Sequence, residues 1–191
     1  MNLEIKPLTP KFAADFFDFF DNRAFTDRGG AFCYCTWFHC DCSVDEHYKP
    51  GKEAMRDCAI NYINSGLLNG YLAYDGSIAV GWCNTDRKEN YLRLMKDPFL
   101  CAGNTEKTKA IVCFEIAPEY RGKRIAAALL ARICDDAKVE GYTFVEGYPT
   151  LHEKHTPFDY AGPMRLYEKF GFIKVTEQDN VAIMRKELVQ K

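Results

Sequence analysis

The sequence has no block of like charge. Its 25 Lys and Arg are interspersed among 27 Asp and Glu, for a formal net charge of −2. A nucleic-acid binder normally carries a basic stripe, so that class of partner is excluded. No apolar run approaches the length of a membrane span. The opening MNLEIKPLTP shows no basic stretch followed by an apolar one, so no secretory signal is expected. Repeats, low-complexity tracts and long Pro/Gly/Ser linkers are also missing, which argues for one domain over 1–191. Hydrophobic residues make up 47% of the 191, enough to bury a sizeable core.

Cysteine, by contrast, is plentiful. Nine are present, four of them in CYCTWFHCDC at 33–42. An odd count without an export signal predicts reduced thiols in a cytoplasmic protein and speaks against a disulfide scaffold. Three uses of Cys33, Cys35, Cys40 and Cys42 compete. A zinc site would prefer wider pairs than two Cys-x-Cys units, although His39 and His47 could substitute as ligands. A catalytic thiol would need a base and a lowered pKa that the sequence does not identify. The favoured use is as core and pocket lining between Tyr34, Trp37 and Phe38, since cysteine is among the most buried residue types. No metal is therefore expected.

LEIKPL alternates as a strand, and TPKFAADFFDFF opens a helix at Thr9 and Pro10. Residues 24–51 show little periodicity and read as irregular. A helix follows over 52–65, stopped by Gly66. A hairpin turns at Asp75-Gly76, a polar stretch covers 85–108, and a strand ends before Pro118. The longest helix repeats Ile125, Leu129, Ile133 and Ala137 every four residues. A strand, a short helix opened by Pro163 and a closing hairpin complete a mixed α+β fold: one central sheet with helices on both faces. His152 and His155 read as solvated loop residues.

The unit that carries chemistry is KAIVCFEIAPEYRGKRIAAALLARICDDA at 109–137: strand, basic Gly-containing turn, helix. The first helical amides lack intrahelical partners and sit at the positive end of the dipole. With Arg121, Lys123 and Arg124 beside them, they suit a pyrophosphate. The turn is neither a Gly-Lys-Ser/Thr loop nor G-x-G-x-x-G. It resembles the acyl-CoA motif of the GNAT superfamily of N-acetyltransferases, Arg/Gln-x-x-Gly-x-Gly/Ala. Arg121 and Ala126 match the ends, whereas Arg124 replaces the usual glycine. GPMRLYEKFGF at 162–172 resembles the superfamily's later tyrosine motif. CYCTWF, GWCN and VEGYP are together similar to a bacterial GNAT subgroup.

The resemblance implies a GNAT-like fold and direct transfer of acetyl from acetyl-CoA to a primary amine, with a small molecule as the expected acceptor. It also implies that the pantetheine arm pairs with the strand at Phe114, Glu115 and Ile116. Amides from Gly122 through Lys123, Arg124, Ile125 and Ala126 to Ala127 would hold the pyrophosphate. Tyr167 would protonate the leaving thiolate, and Glu115 or Glu146 would take the amine proton. Tyr34, Trp37 and Trp82 are candidates to receive the amine, because cations sit well over aromatic faces. Two alternatives stand beside this reading: a CoA-binding module without catalysis, and a metal or thiol sensor at 33–42. A homodimer is allowed, though no surface feature marks it.

Overall fold

The computed structural model describes residues 2–29, 32–102, 107–151 and 159–188. His152 and His155 lie outside the described residues. Seven strands form one mixed sheet: β1 (Leu3–Pro7), β2 (Gly70–Asp75), β3 (Ile78–Arg87), β4 (Thr108–Ile116), β5 (Phe144–Gly147), β6 (Ile173–Gln178) and β7 (Val181–Glu187). Their order is β1-β2-β3-β4-β5-β7-β6, with only β4 and β5 parallel. The parallel step needs a crossover, which is supplied by the longest predicted helix, now α5 (Ile125–Val139).

Two cores flank the sheet. On one face α1 (Ala13–Asn22) buries Phe16, Phe17, Phe19 and Phe20 against Leu72, Tyr74 and Trp82. On the other, α5 lays Ile125, Leu129, Ile133 and Ala137 on Tyr71, Val80 and Ile111. The period-four pattern is therefore a buried stripe, as expected. Thr9 does not cap α1 with its side chain. A 3-10 turn at Pro10–Phe12 leads into the helix instead.

The segment 24–51 is less irregular than its sequence suggests. It holds a 3-10 turn at Trp37–His39 and a short helix, α2 (Val44–Tyr48). That helix is opened by a full capping box. The Ser43 hydroxyl accepts from the Glu46 amide, and the Glu46 carboxylate accepts from the Ser43 amide. Ser-x-x-Glu is the legible signal that a periodicity reading passes over. Helix α3 (Gly51–Ser65) follows and ends on the left-handed Gly66. Helix α4 (Leu92–Lys96) interrupts the polar stretch, and α6 (Met164–Lys169) follows Pro163 as predicted.

One irregularity positions the site. In the β3–β4 ladder Asn84 faces Cys113 and Thr85 faces Ile111, so Val112 is an extra residue, a β-bulge. Ala110, Val112 and Cys113 consequently join the α1-side core, whereas Ile111 and Phe114 join the other. The inserted residue shifts the alternation by one, and Glu115 emerges on the α1 side.

Candidate acetyl-transfer site

On that side lies a cavity of about 550 Å3. Its walls are aromatic: Phe20 and Phe25 at the end of α1, Phe32, Trp37, Phe38 and Tyr48 from the following segment, and Tyr160 from across the sheet. Cys33, Cys35 and Cys113 fill the gaps between the rings. Among the described residues, Arg28 and Glu115 are the charged groups lining it.

Glu115 is only 5% exposed. Arg28 grips it with Nη2 to Oε1 at 3.0 Å and Nη1 to Oε2 at 3.3 Å. Arg121 Nη2 stands 3.4 Å from Oε1. Burial nevertheless dominates and pushes the carboxyl up to about 7, against the pull of Arg28 and Arg121. A carboxyl poised there can accept a proton near neutral pH and release it again. The cavity thiols are of the opposite kind. The bond to Cys35 together with burial raises Cys33, and burial raises Cys35. At Cys113 the bond to Cys35 is the strongest influence and lowers it, but burial and the neighbouring Cys33, Glu115 and Cys83 together raise it. All three are held as neutral thiols, which suits lining and not nucleophilic attack.

The chain bends sharply to bring these cysteines in. Tyr34 and Cys35 both have left-handed backbones, at φ 42° and 58°. Such conformations cost roughly 1–2 kcal/mol per non-glycine residue, so the surroundings must hold them. Buried Asn84 does so, its Nδ2 donating to the Cys35 carbonyl at 2.9 Å while its Oδ1 accepts from Tyr91 at 2.7 Å. The Tyr34 hydroxyl donates to Asp21 and accepts from Arg56. Burial and that carboxylate push its pKa up to about 12.

Not every candidate residue reaches the cavity. Tyr34 is a fully buried anchor behind the wall, not a wall itself. Trp82, also 0% exposed, packs under Phe16 with ring centroids 4.9 Å apart. Trp37 does line the cavity, although Arg93 already covers one ring face at 3.6 Å from the centroid. Glu146 is likewise removed from the cleft. Its side chain is 0% exposed and accepts from Lys88 Nζ at 2.9 Å, Arg185 Nε at 2.6 Å and the Tyr148 hydroxyl at 2.9 Å. With both oxygens engaged and no surface exposed among the described residues, this carboxylate is held as a buried ion pair, away from the cavity that Glu115 lines. Its role is in the core, and no sequence signal distinguishes it from Glu115. Arg28 and Cys113 were not anticipated: Arg28 stands in no motif, and the bulge at Val112 is what turns Cys113 to the cavity side.

The residues that would hold acetyl-CoA fit the molecule. β4 pairs with β5 only from Thr108 to Ile111, so from Val112 onward the strands part and leave backbone groups available. The Phe114 amide itself is taken, donating to the Tyr160 carbonyl at 2.6 Å, so a pantetheine arm pairing at Phe114 would have to displace residue 160. Helix α5 begins without a side-chain cap, leaving its first amides open to an anion. Gly122 (φ 76°) and Arg124 (φ 65°) are both left-handed. Arg124 thus adopts the backbone that the usual glycine would, and the turn survives the substitution at the strain cost of one left-handed residue. Among the basic side chains, Arg121 turns back from the turn. It ion-pairs with Asp27 and donates Nε to the Ile116 carbonyl at 3.2 Å. Lys123 lies over Tyr120 at 4.5 Å. Ile125 is core, so it offers the ligand only its amide.

Tyr167 is fully buried at the parting of β4 and β5, and its hydroxyl donates to the Ala161 carbonyl at 2.7 Å. Its ring lies so close over Gly147 that a Cβ there would meet ring atoms at 2.2–2.4 Å. Burial raises its pKa well above the ordinary phenol. It therefore stays a proton donor at all physiological pH.

The family described as "Acetyltransferase (GNAT) domain" matches residues 69–174, more than half of the chain. The chain belongs to the GNAT acetyltransferase family. As a GNAT domain it is an acetyltransferase that draws its acetyl group from acetyl-CoA. No curated protein sequence matches it. Solved GNAT structures share its fold at low identity. An N-acetyltransferase from Staphylococcus aureus Mu50 superposes with TM-score 0.58 at 14% identity, over 99% of this chain and 100% of that one. PaiA N-acetyltransferase from Thermoplasma acidophilum, in complex with coenzyme A, gives 0.56 at 16%, over 98% and 99%. The ribosomal-protein-S18-alanine N-acetyltransferase from Escherichia coli gives 0.54 at 12%, over 99% and 96%. The GNAT match runs from β2 to the start of β6, covering both sides of the β4–β5 parting, and the expected α+β GNAT fold is the one observed. Among the described residues no helix is long and apolar enough to cross a membrane.

Proposed function

We propose that this GNAT domain acetylates the primary amine of a small, largely apolar molecule bound in the aromatic cavity, with Glu115 as base and Tyr167 as acid. The observation that carries the reading is a carboxyl, the one among the described residues that line the cavity, poised near pH 7 in an apolar, ring-walled pocket. A cavity of that size takes a molecule of modest dimensions, and its walls favour hydrocarbon or aromatic surface over a charged chain.

Bound acetyl-CoA supplies the activated thioester. The protein supplies the rest. Glu115 takes a proton from the incoming ammonium at a carboxylate oxygen, leaving a neutral nitrogen free to attack. Arg28 holds that carboxylate in place while it titrates. Tyr167 releases its hydroxyl proton to the departing sulfur, exchanging its present bond to the Ala161 carbonyl. The uncapped amides of α5 and the backbone from Phe114 to Ile116 orient the donor.

A panel of primary amines with acetyl-CoA tests the acceptor class. Arylalkyl amines should be turned over in preference to peptides; acetylation of peptides alone would refute the small-molecule acceptor. Trp37→Ala removes part of the wall. It should raise the acceptor KM roughly 10- to 100-fold, the equivalent of losing a large apolar contact, and leave acetyl-CoA affinity unchanged. An unaltered KM would place the acceptor elsewhere. Tyr167→Phe separates an enzyme from a CoA-binding module. The expected result is a kcat loss of roughly 10²–10⁴-fold with CoA affinity retained. Unchanged turnover would strike Tyr167 from the mechanism.

A further inference from the structure

The four cysteines of the CYCTWFHCDC stretch do not act together. Cys33 and Cys35 turn into the cavity, whereas Cys40 and Cys42 turn away from it and meet His47 of α2. We propose that Cys40, Cys42 and His47 bind a zinc ion that clips this segment shut.

The donor atoms already converge. The two sulfurs are 2.9 Å apart, and His47 Nδ1 stands 3.3 Å from Cys40 Sγ and 4.0 Å from Cys42 Sγ. The circle through these three atoms has a radius of about 2.0 Å. An ion standing about 1 Å off their plane would therefore meet all three near the ~2.0–2.3 Å expected of Zn–N and Zn–S bonds. Two thiolates and an imidazole form a soft donor set that selects zinc over the hard, oxygen-seeking cations. The capping box of α2 brings His47 back toward the sulfurs. Thr36 Oγ1 lies 3.5 Å from Nε2, on the far side of the ring, where a partner directs Nδ1 to the metal. For tetrahedral angles at such bond lengths the two sulfurs would part from 2.9 Å to about 3.7 Å, and the fourth position is left to water.

The charges balance as well. Two thiolates neutralise Zn2+, so the adjacent Arg93 is not repelled. Its Nη2 donates to the Cys42 carbonyl at 2.6 Å and lies 3.8 Å from Cys40 Sγ. None of the three ligands lines the cavity. Acetyl transfer itself calls for no metal, and the ion is a structural addition to it. The 40–47 loop it closes carries Val44 and is flanked by Trp37, Phe38 and Tyr48, all of which line the cavity, so the clip would anchor one wall of the proposed acceptor site.

Elemental analysis of the full-length protein, purified under reducing conditions without chelator, should find one zinc per chain. Co2+ added to the chelator-stripped protein should give a thiolate-to-cobalt charge-transfer band, and restoring Zn2+ should raise Tm. Cys42→Ser and His47→Gln should each weaken zinc affinity by roughly 100-fold or more. Cys101→Ser should leave the metal in place. The proposal is overturned if the stripped wild-type protein binds neither Zn2+ nor Co2+ at micromolar concentration. It is equally overturned if Cys42→Ser retains zinc at wild-type affinity. The wild-type cobalt spectrum keeps the test decisive should a variant fail to fold.

Discussion

Glu115→Gln should lower kcat/KM by roughly 10²–10⁴-fold at pH 7, the usual contribution of a positioned general base. The substitution keeps the shape of the side chain in its grip by Arg28 and Arg121 and removes only its ability to take a proton. Wild-type activity should climb as pH rises through about 7, because the deprotonated carboxylate is the working form and burial has raised its pKa to that value. Below the transition, rate should fall about tenfold per pH unit, the slope of a single titrating group. In Glu115→Gln that step should vanish and leave only the slower rise of amine deprotonation. A variant with wild-type activity, or one that keeps the step near pH 7, would show that another group takes the proton. CoA affinity is the control and should not move.

The second large effect concerns stability. Glu146→Leu should destabilise the fold by about 3–5 kcal/mol, because it strands the fully buried Lys88 ammonium without its counter-charge. Lys88→Met should cost less, since Arg185 and Tyr148 remain on Glu146. The double variant should regain most of the loss, as an apolar pair of similar volume needs no desolvation, while Arg185 can still reach water. Denaturant unfolding of the four proteins gives the coupling directly. A cost below about 1 kcal/mol for Glu146→Leu would mean that water reaches the pair, contrary to its complete burial. The same series separates the two strand glutamates. Glu146 variants should lose stability, and Glu115 variants should lose turnover.

That contrast marks where sequence reading stops. Both glutamates sit on β-strands one residue from an apolar neighbour, and nothing local tells the poised carboxyl from the buried ion pair. The difference arises from the bulge at Val112, which shifts the alternation of β4, and from Lys88, Tyr148 and Arg185, which surround Glu146. Aromatics mislead in the same way. Tyr34, Trp37 and Trp82 all read as possible acceptor contacts. Only Trp37 faces the cavity, because Tyr34 is drawn inward by Asp21 and Arg56 and Trp82 is covered by α1.

What the sequence determined by itself was the architecture and the motif on which the proposed donor half rests. Period-four apolar spacing, proline and glycine punctuation, and the strand–turn–helix at 109–137 are local signals, and each acts within a few residues of where it is written. The GNAT resemblance rests on the turn at Arg121–Ala126 and the tyrosine motif at 162–172. The acceptor half was decided by the tertiary structure alone. Its cavity is assembled from α1, the segment after it, β4 and residue 160, which meet only when the sheet is complete. The fate of the cysteines was decided there too. Two face the cavity and two face His47, because the backbone reverses at Tyr34 and Cys35 and α2 folds back on its capping box. Contacts of that kind join residues far apart in the chain, and no spacing pattern encodes them.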